Sequence, residues 1–174
     1  MTSPSVRSVR DADIPAITAI YAHAVLHGVA SFEVEPPDAA EMARRMRAVT
    51  DTGFPYLVAE TDGKVLGYAY AALYRARPAY RNSIENSVYV SPDAHRLGVG
   101  RALLAALIEI ATERGFRQMI AVIGDSGNAG SIGLHRALGF TYCGVIHSVG
   151  YKHGRWLDSV IIQRALGPGD TSPP

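Results

Sequence analysis

The run PYLVAETDGKVLGYAYAAL restricts the fold more than any other part of the chain. Two β-rich stretches flank Thr61-Asp62-Gly63-Lys64, and Asp-Gly between such stretches marks a tight antiparallel hairpin. The rest of the pattern is strand, two helices, this hairpin and a further strand, then helix, strand, helix and two strands. In residues, a strand over 5–10 leads to a helix capped by Asp11 or Asp13 and running to about Leu26. Asp38 caps a second, arginine-rich and peripheral helix to about Val49. SIENSVYVSP is a strand stopped by Pro92, and a helix from about Gly98 to Glu113 ends at Gly115. QMIAVIG is a strand, 129–138 a short helix, and 142–151 and 156–166 the last two strands. This order predicts an α+β fold with a mixed sheet, not a series of βαβ units. One domain over residues 1–166 is expected, followed by a flexible tail, GPGDTSPP, over 167–174.

The charge balance of 17 basic against 16 acidic side chains argues against a nucleic-acid binder, which would carry a basic excess. The longest greasy run, ALLAALIEIA, is interrupted by Glu109 and is far short of the roughly 20 residues of a membrane span. The start, MTSPSVRSVRDAD, has no apolar signal core, so a soluble cytoplasmic protein is expected. The single cysteine, Cys143, rules out an internal disulfide and is expected to be a buried, inert thiol. His23 and His27 stand four apart on the first helix without a third ligand, so they are read as helix-face residues and no metal is expected.

HRLGVGRALLAAL puts Gly98 and Gly100 just ahead of an apolar helix. A Walker loop fails because Arg101-Ala102 stands where lysine and a hydroxyl are needed. A dinucleotide fingerprint lacks its third small residue, which is Leu103 here, although Asp125 stands where a ribose-binding acid would. The upstream hairpin also argues against it. A coenzyme A pyrophosphate is the third possibility, held by backbone amides of residues 96–101 and the helix dipole. A plain turn before a helix would use the same glycines.

VYVSPDAHRLGVGRALL resembles the signature segment of the GNAT N-acetyltransferase superfamily, with His95 where glutamine or arginine is usual. The resemblance extends over residues 6–166. RDADIPAITAIYAHAV, ASFE, ENSVYVSP, AVIG, LHRALGF and YKHGRWLD make it strongest with the phosphinothricin and methionine sulfoximine acetyltransferases. It implies the GNAT fold, a mostly antiparallel sheet splayed at an acetyl-CoA site, and acetyl transfer to the α-amine of a small amino-acid-like acceptor. Acceptors of the polyamine, protein N-terminal or lysine type, or a non-catalytic acyl-CoA-binding module, remain alternatives.

By the same resemblance, the edge of Val88, Tyr89 and Val90 pairs with pantetheine opposite the strand at 118–123. The loop of His95, Arg96, Leu97, Gly98, Val99, Gly100 and Arg101 holds the pyrophosphate, and Asn128 contacts the coenzyme. Glu85 is the base for the acceptor amine, which is mostly protonated at neutral pH. A backbone N–H near Val90 meets the oxyanion. His135 stands where many members place a tyrosine acid; it either protonates the leaving thiolate or is a hydrogen-bonded helix residue. Arg75 and Arg77 hold the acceptor's carboxylate beside Phe32, while Arg81 is a surface residue. A homodimer is expected through the apolar strand WLDSVII, with Trp156 in the core or at that contact.

Overall fold

The computed structural model describes residues 4–174. Seven strands form one sheet: β1 (Ser5–Ser8), β2 (Tyr56–Thr61), β3 (Lys64–Leu73), β4 (Ser83–Val90), β5 (Gln118–Gly124), β6 (Thr141–Lys152) and β7 (Arg155–Ala165). Their spatial order is β1-β2-β3-β4-β5-β7-β6, and every neighbouring pair is antiparallel except β4 with β5. The hairpin turns at Asp62 and Gly63, with φ of 51° and 77°, the left-handed pair that a two-residue turn requires.

Four helices cover the sheet: α1 (Ile14–His27), α2 (Ala39–Thr50), α3 (Val99–Glu113) and α4 (Ala129–Ala137). α3 buries Leu103, Leu104, Leu107, Ile108 and Ala111, a stripe at helical spacing, against one sheet face. α1 and α2 pack Ile17, Val25, Met42 and Met46 on the other face over Val58 and Tyr68. Strand alternation therefore sends Ile84, Val88 and Val90 toward α3, and Tyr89 toward α1 and α2. No helix among the described residues is long and apolar enough to cross a membrane.

Asp38 caps α2 as expected, its carboxylate accepting from Glu41 N–H at 2.8 Å. Asp13 does not cap α1 in this way; it accepts two hydrogen bonds from Arg7 and one from Arg10 N–H. Cys143 is exposed, contrary to expectation, because it lies at a register shift in β6, an edge strand. Trp156 is 62% exposed and meets Tyr151 edge-on, so it is no core residue. Residues of the tail turn back on the fold, where Arg117 donates to the carbonyls of Gly169 and Pro173 at 3.1 and 2.8 Å.

Candidate active site

β4 and β5 pair only from Ser83↔Gln118 to Glu85↔Ile120. Beyond that rung β4 stays with β3 as far as Val90, and β5 stays with β7 as far as Gly124, so the two part like a fork. The opening is a cleft of about 260 Å³ reached by Ser31, Phe32, Glu85, Asn86, Val88, Asn128 and His135.

Hydrogen-bond parity decides which backbone groups face it. Ser91 N–H donates to Leu66 O and Ser83 O accepts from Tyr74 N–H, so odd-numbered residues of β4 serve the β3 ladder. The main chain of Asn86, Val88 and Val90 therefore points into the fork. Tyr89, expected on that edge, spends its main chain on β3 and its ring on Tyr21 and Tyr68, at 5.0 and 5.3 Å. An extended ligand bearing amides fits such an edge as an added strand would.

The glycine loop lies at the end of β4. Arg96 and Gly98 both take left-handed φ, 65° and 79°, and Gly98 precedes the first residue of α3. The first intrahelical bond is Ala102 N–H to Gly98 O at 3.0 Å. The amides of Val99, Gly100 and Arg101 thus lie in the first turn, where the helix supplies them no acceptor. Together with the positive end of the helix dipole they make an anion seat, which fits the pyrophosphate of coenzyme A. His95 turns back and places Nε2 3.3 Å from Val90 O, while Arg96, Leu97 and Arg101 are exposed. A Cβ on Gly100 would stand 3.2 Å from Leu134 and 3.5 Å from Val90. Gly100→Val, with two further carbons, is expected to raise KM for acetyl-CoA about tenfold or more; unchanged affinity by calorimetry in a folded variant would remove the loop from the site.

Glu85 sits at the last paired rung. Burial pushes its carboxyl above the ordinary range, and the nearby positive charge of Arg75 only partly opposes this. That is the direction a base needs if it is to work nearer neutrality. Arg75 itself is exposed, its guanidinium stacked 4.4 Å over the Tyr74 ring, and Arg77 is exposed at the start of a 3-10 turn over Pro78–Tyr80. Neither lines the cleft, since β3 ends at Leu73 and the extended alternation needed to aim them together is absent.

Phe32 does line it. The connector between α1 and α2 is pressed onto the sheet so closely that Cβ atoms at Gly124 and Gly150 would stand 2.0 Å from Val29 O and 2.6 Å from the Phe32 ring. Lys152 Nζ donates to Ser31 O at 2.8 Å, and burial lowers that ammonium's pKa. The Tyr21 hydroxyl donates to Glu33, which also takes Arg45 at 2.6 Å. Gly124, Gly150 and Lys152 thus hold the Phe32 wall, and sequence reading passed over them because their partners are over 90 residues away.

On the opposite face α4 is capped by Asn128, whose side chain accepts from Ser131 N–H at 3.2 Å and lines the cleft. His135 is 3% exposed, with Nδ1 2.8 Å from Ser131 O and Nε2 3.0 Å from Asn86 Oδ1. Burial lowers its pKa, and the bond to Ser131 O opposes this. Asp125, the would-be ribose acid, instead pairs with Arg155 at 2.9 Å. The rings of His23 and His27 meet at a tilt of 46° with centroids 4.8 Å apart, and no group of three or more metal-ligating side chains exists among the described residues.

Comparison with known proteins gives this geometry its context. The model of the Acetyltransferase (GNAT) domain matches residues 6–161. Phosphinothricin N-acetyltransferase of Alcaligenes faecalis is 59% identical over 170 residues, covering 98% of this chain and 86% of that one. The L-methionine sulfoximine/L-methionine sulfone acetyltransferase of Pseudomonas paraeruginosa is 44% identical, covering 98% and 99%. A phosphinothricin acetyltransferase from Sinorhizobium meliloti, solved in complex with acetyl-CoA, superposes with a TM-score of 0.96 at 48% identity, covering 99% and 94%. The chain is a member of the GNAT acetyltransferase family.

Proposed function

We propose that this chain moves the acetyl group of acetyl-CoA to the α-amine of a small amino-acid-like acceptor of the phosphinothricin, methionine sulfoximine or methionine sulfone type. The observation that carries the reading is the fork itself, with a half-buried carboxylate, Glu85, at its last rung. The relatives named for those acceptors support the substrate class. Bound acetyl-CoA supplies an acyl carbon already activated toward an amine. Asn86, Val88 and Val90 hold its pantetheine arm by their main chain, and the amides of residues 99–101 hold its pyrophosphate. Glu85 takes the proton from the acceptor's ammonium, directly or through a water, so that the nitrogen lone pair is free to attack. Phe32 provides an apolar wall that keeps bulk water off this reaction.

Arg75 is the arginine assigned to the acceptor's carboxylate, because it follows the end of β3 at Leu73 and the neighbouring Ala72 pairs with Glu85. Arg75→Ala is expected to raise KM for a carboxylate-bearing acceptor about tenfold and leave KM for acetyl-CoA alone. Equal losses for the acceptor and its decarboxylated amine would show that Arg75 never meets the carboxylate. A homodimer is supported by the exposed Ile146, Val149, Tyr151 and Trp156 on β6 and β7, a cluster that a second copy would cover. Light scattering is expected to give twice the monomer mass at micromolar concentration; the monomer mass would count against a dimer. A cytoplasmic location fits a chain that draws on acetyl-CoA. The reading is tested by locating the acetyl group on the product by NMR: the α-nitrogen is expected, and a side-chain nitrogen or no product would refute it.

A further inference from the structure

At the vertex of the fork one side chain ties three elements together. Asn86 Nδ2 donates to Ile120 O on β5 at 3.1 Å, which determines the direction of the amide. Its Oδ1 therefore faces α4, where His135 Nε2 lies at 3.0 Å. An amide oxygen can only accept, so this contact is a hydrogen bond when Nε2 carries a proton. The other ring nitrogen is 2.8 Å from Ser131 O, which likewise only accepts, so the neutral ring serves one of these two carbonyl contacts at a time. With the proton on Nε2, Nδ1 can accept from the Ser131 hydroxyl at 3.5 Å. The ring is further pinned by Phe140, which meets it edge-on at 5.0 Å. Asn86 and His135 are 5% and 3% exposed, so leaving either polar group unmatched would be costly.

We infer that Asn86 and His135 are positioning residues that set the angle at which β4 and β5 part, and that His135 is not the proton donor to the departing thiolate. The geometry supports both halves. The pairing of β4 with β5 ends one residue before Asn86, so the Asn86 amide is the last tie between the strands. His135 anchors that tie to α4, whose cap, Asn128, lines the same cleft. A change of ring position would thus move the vertex and the coenzyme-facing end of α4 together. Both ring nitrogens are engaged by protein atoms, so donating the Nε2 proton to sulfur would leave Asn86 Oδ1 unmatched. The thiolate does not need that donor, because a thiol of pKa about 8.5 is a competent leaving group near neutrality. In this account the nitrogen loses two protons, one to Glu85 before attack and one to water after it. The amine adds to the acyl carbon, the C–S bond then breaks, and the sulfur departs with its electron pair to be protonated from water.

The inference rests on the acetyl-CoA reading of the cleft, and calorimetry of the wild-type protein with coenzyme A tests that reading separately. His135→Gln keeps an amide donor for Asn86 Oδ1 but has no acid near neutral pH. It is expected to retain kcat within about fivefold, whereas His135→Ala and Asn86→Ala lose tenfold or more. The two alanine variants should also weaken coenzyme A binding at least fivefold, with KM for the acceptor within twofold of wild type. His135→Gln losing as much kcat as His135→Ala, while both bind coenzyme A normally, would overturn the inference. The wild-type protein provides a readout that does not depend on any variant folding. Imidazole ¹⁵N NMR of the ligand-free protein at neutral pH should show the His135 proton on Nε2, protected from exchange, and a proton on Nδ1 alone would contradict the proposal.

Discussion

Glu85→Gln is expected to lower kcat by about 10²–10⁴ with coenzyme A affinity unchanged, because the amide keeps the shape but has no basic lone pair. The raised pKa of Glu85 gives the effect a pH signature. Only the ionised carboxylate can take a proton, so wild-type kcat/KM should climb as pH rises through a value above the ordinary carboxylate range. The variant should lack that limb. Stability should move the opposite way. Between the unfolded and the raised folded pKa the native state binds more protons, so wild-type stability falls with rising pH across that window and stays reduced above it. Glu85→Gln escapes the cost of burying a charge. It should melt higher than wild type at neutral pH and no differently below the ordinary carboxylate pKa. Near wild-type activity from pH 6 to 9 would make Glu85 merely structural.

Gly124→Ala is expected to have an effect of similar size through packing alone. The added carbon would stand 2.0 Å from Val29 O and 3.1 Å from the Phe32 ring. A carbonyl oxygen has no rotamer to change, so the whole connector must lift away from β5. Overpacking of this kind costs about 1–3 kcal/mol or more in stability. The displaced connector carries Ser31 and Phe32, so kcat/KM for the acceptor should fall about 10²-fold. Gly130→Ala is the control, since nothing lies within 4 Å of that Cβ position and alanine suits a helix. Stability within error of wild type for Gly124→Ala, with normal acceptor kinetics, would show that the connector is not held as described.

The elements these variants perturb were legible in unequal measure. Asp62-Gly63 announced its hairpin because a tight turn needs left-handed residues, and those two adopt it at low cost. Gly98 and Gly100 announced the start of α3 for a similar local reason, and Gly115, with φ of 81°, its end. Glu85 and the 88–90 edge came from family resemblance, and strand parity then separated Val88 and Val90 from Tyr89. The Asn86–His135 tie was hidden because it joins residues 49 positions apart, and no local pattern records that β4 leaves β5 at Glu85. Cys143 misled because strand-like apolar sequence does not say which strand forms an edge. β7 inserts beside β5 and leaves β6 outermost, so side chains read as core face outward. Alternation could not aim Arg75 and Arg77 together, because β3 ends at Leu73 and both arginines lie beyond it.

The central claim is that the fork delivers acetyl groups to α-amino acids. It is tested most directly by following thiol release from acetyl-CoA with phosphinothricin, methionine sulfoximine and methionine sulfone beside a polyamine and a lysine peptide. The account predicts turnover with one or more of the three amino-acid acceptors at kcat/KM at least about 10²-fold above the polyamine and peptide. Release that no amino acid raises above hydrolysis, or that the polyamine or peptide raises most, would contradict it.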